Sequence, residues 1–377
     1  MNNIDDKGYN DCTGCSACAI VCPQKAINIF YNNEGFISPF IDNAKCTSCG
    51  LCKEVCYKFL NPTKIIQKSD YENKRVIAVL NNYFEEMHTV SSAGIATQLA
   101  KHFFKEMYDI CGVVYNPEKD ICEHIIAKDE TDIEDFKGSK YLQSYNYEAF
   151  KKLTQSPKDT LVFGTPCQIY GLKKIAQIKH IENKLVFIDL FCLGVPSFKL
   201  WKQYKDFLFR NFRIEGIRKV NFRDKSQGWH KFSIKITDKN GNTYQQNLFN
   251  DMFFSFYLKR VCSNKACYNC LFRYDFVYSD IRLGDFWGEK YKIYDDGVGL
   301  VVLLTDKGGK AWDKIKSSFR FEECEAKDIF NSQKINKIKL PDKYHEIIGS
   351  LANNEPLEEI NSKYGINVIS YKKENNL

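Results

Sequence analysis

Cys12-Thr13-Gly14-Cys15-Ser16-Ala17-Cys18-Ala19-Ile20-Val21-Cys22 is followed, at a constant offset of 34 residues, by Cys46-Thr47-Ser48-Cys49-Gly50-Leu51-Cys52-Lys53-Glu54-Val55-Cys56. Both runs have the spacing C-x-x-C-x-x-C-x-x-x-C and their flanks repeat as well, so the stretch is a duplicated unit. Two residues between thiolates let a tight loop wrap three corners of a cubane cluster, and small residues leave backbone N–H groups room to approach the sulphurs. The fourth cysteine opens a short helix that points away and ligates the other cluster. The expected ligand sets are therefore Cys12, Cys15 and Cys18 with Cys56, and Cys46, Cys49 and Cys52 with Cys22. Four thiolates also suit zinc, but zinc sites usually pair two separated C-x-x-C units; two 4Fe-4S clusters are the expectation. Between the runs, Ile27–Tyr31 and Phe36–Pro39, joined through Asn32-Asn33-Glu34-Gly35, read as a β-hairpin.

Working outward, the chain holds 16 cysteines in 377 residues, long enough to build cores without disulfides. The start, Met1 to Lys7, is polar and lacks the basic and then apolar stretch of a secretion signal, so reduced thiols and a cytoplasmic location are expected. The longest apolar run, Leu185 to Phe198, is broken by Asp189 and is too short to span a bilayer. The net charge of +7 is spread along the chain. With no nucleic-acid signature present, it reads as a solvated surface and not as a nucleic-acid footprint.

After a linker at 62–74 the pattern changes. Val76–Leu80, Cys111–Tyr115, Thr160–Phe163 and Leu185–Leu190 read as strands, and Ala96–Met107, Cys167–Ile178 and Phe198–Phe212 as helices, which makes this part α/β with at least part of its sheet parallel. Trp201, Tyr204, Leu208 and Phe212 share one helix face and read as core. Val220 to Leu248 reads as a β-hairpin excursion. The whole is expected to be α+β: a two-cluster ferredoxin-like domain at 1–61, a larger domain at 75–331, and a C-terminal tail at 332–377.

Five further cysteines stand out. Cys262, Cys267 and Cys270 form C-x4-C-x2-C, while Cys167 and Cys192 each follow a strand, where ligands gather in α/β sheets. The spacing fits a third cluster, and it equally fits small buried residues, for which cysteine is common.

The N-terminal part resembles the bacterial two-cluster ferredoxins, which carry proline after the last cysteine of each run; Pro23 keeps it and Tyr57 departs from it. From about Val76 to Ile315 the chain resembles the beta-subunit family of coenzyme F420 hydrogenases and dehydrogenases. The matching stretches are Val90–Thr97, Gly138–Ser144, Phe163–Leu172, Phe191–Ser197, Ala266–Cys270 and Ser279–Gly288, in the family's order.

The resemblance implies an iron-sulphur flavoprotein oxidoreductase. It would relay single electrons from ferredoxin or a similar donor through 4Fe-4S clusters to FAD, with FMN as the alternative, and so reduce a small molecule or deazaflavin. An electron-transfer component without its own substrate inside a larger complex is the second reading, and the oligomeric state stays open. The implied third-cluster ligands are Cys167, Cys192, Cys267 and Cys270, with Cys262 either spare or replacing a strand-end cysteine. Cofactor contacts are implied at Ser91, Ser92, Ala93, Gly94, Thr97, Lys140, Gln143, Ser144, Gly164, Thr165 and Gln168. Small residues before a helix let a cofactor reach the backbone and set its anionic groups on the helix N-terminus; ordinary capping by Ser91 or Ser92 is the plain alternative. Lys140 would neutralise a flavin phosphate, with Gln143 and Ser144 in the next turn of chain. Asp285 and His230 are the candidates for proton delivery.

Overall fold

A computed structural model describes residues 2–9, 11–60, 68–81, 88–273, 276–333 and 338–366. The first part of the linker, 62–67, and the end of the tail, 367–377, lie outside the described residues.

The hairpin forms as expected: β1 (Ile27–Tyr31) pairs antiparallel with β2 (Ile37–Ile41), Ile29 opposite Pro39. Its turn is closed by Asn32, whose Oδ1 accepts from Phe36 N at 3.0 Å, and by Gly35 at φ +82°. Gly35 is needed for space as well, since a methyl there would lie 2.6 Å from Ser197 Oγ.

The larger domain is built on one mixed sheet. In chain order its strands are β3 (Arg75–Asn81), β4 (Asp109–Asn116), β5 (Ile121–Ile126), β6 (Ser144–Tyr145), β7 (Thr160–Phe163) and β8 (Leu185–Leu190). Next come β9 (Ile217–Asp224), β10 (Ser233–Asp238) and β11 (Thr243–Asn247), which form a separate antiparallel sheet. The main sheet is completed by β12 (Ile281–Asp285), β13 (Gly299–Leu303) and β14 (Phe319–Cys324). Its order is β14-β3-β13-β12-β8-β7-β4-β5-β6. The centre, β12-β8-β7-β4, is parallel and the flank β12-β13-β3-β14 antiparallel.

Both faces of the central strands are buried, which is why they read as continuous apolar runs. Leu161, Val186 and Ile188 pack with Leu99, Phe103 and Trp312 from the helices Ile95–Lys105 and Asp306–Ile315. Val162, Leu185 and Phe187 face the other way, onto Phe150, Ile169 and Leu172 of the helices Tyr147–Leu153 and Pro166–Ile178.

Two expectations are corrected. The excursion is a three-stranded sheet and not a hairpin, because β9 pairs with β10 despite its charged residues. The segment expected as a separate C-terminal tail packs into the larger domain: helices Tyr344–Ala352 and Leu357–Tyr364 bury Ile347, Leu351, Leu357 and Ile360 in the same core as Trp201, Tyr204 and Leu208.

Candidate electron-transfer path and cofactor cavity

The duplicated cysteine runs repeat in backbone conformation as well as spacing. Gly14 and Ser48, and Ser16 and Gly50, occupy equivalent positions, and all four have φ between +55° and +84°. These left-handed residues turn the loop back on itself, so each run uses one glycine and one serine to wrap its thiolates. Amides point at the sulphurs: Gly14 N donates to Cys12 Sγ and Ala26 N to Cys22 Sγ, both at 3.4 Å.

The structure brings the expected sets together. Burial, then the field of Cys15, pushes the Cys12 thiol up to about 12 with Cys56 adding to it, and burial with Cys15 pushes Cys56 up to about 11. Cys18 is raised by burial and by Cys12, Cys15 and Cys56. Cys22, Cys46, Cys49 and Cys52 line one small cavity, with Cys49 exposed. Cys22 thus sits with the second run and Cys56 with the first, and one expectation is corrected: the fourth cysteines do not open the short helices but follow them, since Ala17–Val21 carries Cys18 and ends at Cys22, and Leu51–Glu54 carries Cys52 and ends before Cys56.

A third group assembles at the ends of β7 and β8. Burial raises the thiols of Cys167, Cys192 and Cys267, and after burial the field of Cys270 acts on all three and that of Cys192 on Cys167 and Cys267. Gly194, at φ +113°, makes the close approach: a methyl on it would lie 3.1 Å from Cys267 Cβ. Cys262 stands apart, buried in the aromatic core with no neighbouring thiol acting on it. The structure places it in that core, apart from the other four thiols. Among the described residues no three His, Cys, Asp or Glu side chains converge to hold a single metal ion. Four thiols that act on one another are, as a donor set, the one a cubane cluster uses.

Arginines flank this group. Arg273 Nη2 donates to Cys267 O at 2.8 Å, while its Nη1 is buried with no partner. Arg282, fully buried, grips Asp189 with Nε and Nη2 at 2.8 and 2.7 Å, which explains the acidic break in the apolar run of β8. Burial opposes the Arg282 charge, and Asp189 more than restores it.

The cysteine module is docked by side chains that reach the cluster-binding loop. Gln143 accepts from Ile37 N at 2.9 Å and donates to Thr13 O at 3.1 Å. Asn146 donates to Cys15 O, and Asn264 to Cys12 O, both at 3.1 Å. Tyr57, where the ferredoxin motif has proline, donates to Asp11 O and packs edge-on against Phe272, 5.5 Å between centroids. Phe272 and Tyr170 join the apolar cluster that Tyr57, Cys167 and Cys270 pack against. The three thiol groups therefore follow one another, the first run lying between the second run and the third group.

Beyond Cys192 lies a cavity of about 1210 Å³, large enough for a dinucleotide-sized cofactor together with an acceptor. Ser91, Ser92, Gly94, Thr97, Lys140, Ser144, Gly164, Thr165, Gln168, His230 and Asp285 all line it. The helix Ile95–Lys105 starts at Gly94, φ +82°, with no side-chain cap. Ser91 Oγ instead accepts from Ser139 N at 2.7 Å, and Ser92 Oγ is buried with no partner. Capping by either serine is thus excluded. An open helix N-terminus beside an orphaned hydroxyl fits the phosphates of a bound cofactor. Gln168 Nε2 donates to Ser144 Oγ at 3.1 Å and closes the floor.

Three implied contacts are placed differently. Ala93 is fully buried and packs under Gly299. Gln143 is committed to the cysteine module, as above. Lys140 lines the cavity, but its Nζ donates to the carbonyls of Asp135, Phe136 and Lys137 at 2.8 to 2.9 Å. That uses all three ammonium donors, and burial pushes the group down to about 8; it holds the chain around Lys137 instead of a phosphate.

Asp285 is held by Arg223, Nη1 to Oδ2 at 2.5 Å, so its carboxylate is an acceptor for an arginine. His230 presents a buried, unpartnered Nε2 next to the stacked pair Trp229 and Trp287, 4.2 Å apart. Arg223, a cavity residue, was missed by sequence reasoning. In β9 it looks like Arg218 and Lys219, and only the packing shows that they are exposed while it is buried.

The comparisons with known proteins agree with this layout. Residues 11–59 match the family model described as 4Fe-4S dicluster domain, and residues 158–329 match the one that describes the C terminus of the coenzyme F420 hydrogenase/dehydrogenase beta subunit. The chain is similar to a protein of Methanosarcina mazei named as one of the subunits of F(420)H(2) dehydrogenase, 22% identical over 337 residues, covering 84% of this chain and 85% of that protein. It is also similar to the coenzyme F420-dependent sulfite reductase of Methanocaldococcus jannaschii, 24% identical over 375 residues, covering 94% of this chain but 53% of that protein, about half its length. Among solved structures, one from the F420-reducing nickel-iron hydrogenase complex of Methanosarcina barkeri matches with TM-score 0.47 and 19% identity, covering 80% of this chain and 94% of that one. No helix among the described residues is long and apolar enough to cross a membrane. The chain therefore joins a 4Fe-4S dicluster domain, at residues 11–59, to a domain similar to the C terminus of the coenzyme F420 hydrogenase/dehydrogenase beta subunit, at residues 158–329, the make-up of an iron-sulphur oxidoreductase.

Proposed function

We propose that the chain is a reductase that takes electrons one at a time at the cysteine module, from ferredoxin or a similar donor, and delivers them in pairs to an acceptor in the cavity. The observation that carries this reading is the row of three thiol groups ending at Cys192, which lines the cavity. A flavin bound there, FAD or FMN, supplies the exchange between one-electron and two-electron chemistry. Two single electrons and a proton amount to one hydride, the currency of a deazaflavin or similar acceptor.

The residues support defined tasks. Cys12, Cys15, Cys18 and Cys56, then Cys46, Cys49, Cys52 and Cys22, hold the module's clusters, and Cys167, Cys192, Cys267 and Cys270 hold the third. Ser91, Ser92, Gly94 and Thr97 receive the cofactor's anionic part, while Gly164, Thr165, Gln168 and Ser144 shape the floor. With Asp285 committed to Arg223, His230 is the candidate for proton delivery.

Analysis of the purified chain tests this: roughly twelve irons with matching sulphide, three cubanes of four, and one flavin per chain are expected. Eight irons and no flavin would refute both the third cluster and the flavin. The second reading, an electron-transfer component without a substrate of its own, is favoured by the M. mazei relative, since the chain covers 85% of a protein named as part of a dehydrogenase. Turnover by the isolated chain with reduced ferredoxin or dithionite supports the first reading; inactivity relieved by a partner protein supports the second.

A further inference from the structure

Arg223 is 5% exposed and lines the cavity within the field of the Tyr141 hydroxyl, yet among the described residues its Nε and Nη2 make no hydrogen bond. A buried guanidinium with unmade hydrogen bonds is costly unless something completes it. Its position is over-determined. Nη1 is fixed by Asp285, the backbone N donates to Asn221 Oδ1 at 2.9 Å, and the guanidinium carbon lies 4.6 Å from the Phe232 ring and 5.6 Å from the Trp287 ring. The edge left open, Nε with Nη2, is one that grips a carboxylate or phosphate with two parallel hydrogen bonds.

A second unpartnered nitrogen stands nearby. The His230 ring is 5.9 Å from Trp287, centroid to centroid, and its buried Nε2 has no partner. Among the described residues that line the cavity no carboxylate is free to serve Arg223 further, because Asp285 already accepts from it and Asp189 is held by Arg282. The other charged side chains lining the space, Lys137, Lys140, Arg260 and Lys339, are basic.

We propose that Arg223 and His230 form an oxyanion seat, which takes a carboxylate-like group of the bound ligand against the Trp287 ring. The proposal rests on the reading of this cavity as the reductase site, although its test does not need flavin. The oxyanion belongs either to the acceptor or to the cofactor, and the experiment separates the two.

The purified holoprotein is titrated with benzoate, and separately with inorganic phosphate, by calorimetry and by tryptophan fluorescence. Saturable benzoate binding is expected, weakened by roughly tenfold or more in Arg223→Gln, by less in Arg223→Lys, and weakened also in His230→Gln. Binding by the flavin-loaded chain assigns the seat to the acceptor. Binding that appears only after flavin is stripped, with flavin content falling in Arg223→Gln, assigns it to the cofactor. Should Arg223→Gln fail to fold, Arg223→Lys and His230→Gln carry the test. No saturable binding in loaded or stripped protein, or equal affinity in all variants, overturns the seat. A chain that never holds flavin yet binds benzoate through Arg223 would overturn the flavin reading and leave the seat standing.

Discussion

Gly171, on the helix Pro166–Ile178, lies against Cys15: a methyl on its α-carbon would sit 3.1 Å from the sulphur and 3.0 Å from Ala17 Cβ. The helix that begins with Cys167 is thereby pressed onto the first cysteine run with nothing between. Gly171→Val should cost about 1–3 kcal/mol through overpacking and widen this gap. Stopped-flow reduction should then show the module reduced at its normal rate and the cofactor in the cavity reduced more slowly; an unchanged second phase would place the electron path elsewhere.

Gln143 bridges the two domains with both ends of its amide, and a methyl on Gly14 would lie 2.4 Å from its Nε2. Gln143→Ala leaves a buried Ile37 N and a Thr13 carbonyl unmatched, a loss of about 1–3 kcal/mol. Its expected signature is earlier thermal release of the module, with cofactor content unchanged. A selective fall in cofactor would restore the residue to the cavity.

The Arg282 and Asp189 side chains are both essentially unexposed. Removing one charge strands the other, so Arg282→Met or Asp189→Asn alone should each cost about 3–5 kcal/mol, while the double change should recover part of the loss. Denaturant midpoints of the two singles and the double decide this; additive losses would contradict it.

Arg273 places an unpaired Nη1 beside the third thiol group, and its charge acts on Cys192, Cys267 and Cys270. A nearby cation and hydrogen-bond donor stabilises the more negative, reduced state of a cluster. Arg273→Gln should lower the potential of one cluster and leave the other two alone, as read by EPR-monitored redox titration. Three unmoved potentials would remove this role.

Asp251 is buried beneath Tyr204 and Tyr244, whose hydroxyls donate to it at 2.6 and 3.1 Å. Burial nevertheless wins and raises the carboxyl from 3.8 to about 6. The folded state therefore holds this proton more tightly than the unfolded one. Its contribution is full below about pH 4, falls as pH rises through the window from 4 to 6, and is gone above it, a loss of about 3 kcal/mol. Between pH 5 and 6 the wild type should lose stability against Asp251→Asn in urea unfolding; parallel curves would refute the shift.

Much of the fold is legible because its strands are buried on both faces: Thr160–Phe163 and Leu185–Leu190 stand out as apolar runs, and both are strands over those residues. The cysteine sets were legible because spacing dictates them. What was not legible depends on tertiary packing. Ser91 and Ser92 look like helix caps until Gly94 is seen to start the helix. Gln143 and Lys140 look available for a ligand until the cysteine module claims one and the carbonyls of Asp135, Phe136 and Lys137 the other. Arg223 could not be told from its solvated neighbours, because burial of a charge leaves no mark on the local pattern.

Cys49 is the exposed member of its set, and that set lies at the end of the row farthest from the cavity. Under the proposed function, donor and acceptor thus have separate doors. A large protein donor can dock, discharge and leave while a small acceptor stays seated, so the two visits need not be synchronised, and a substrate held against Trp287 is shielded from the crowded protein traffic outside.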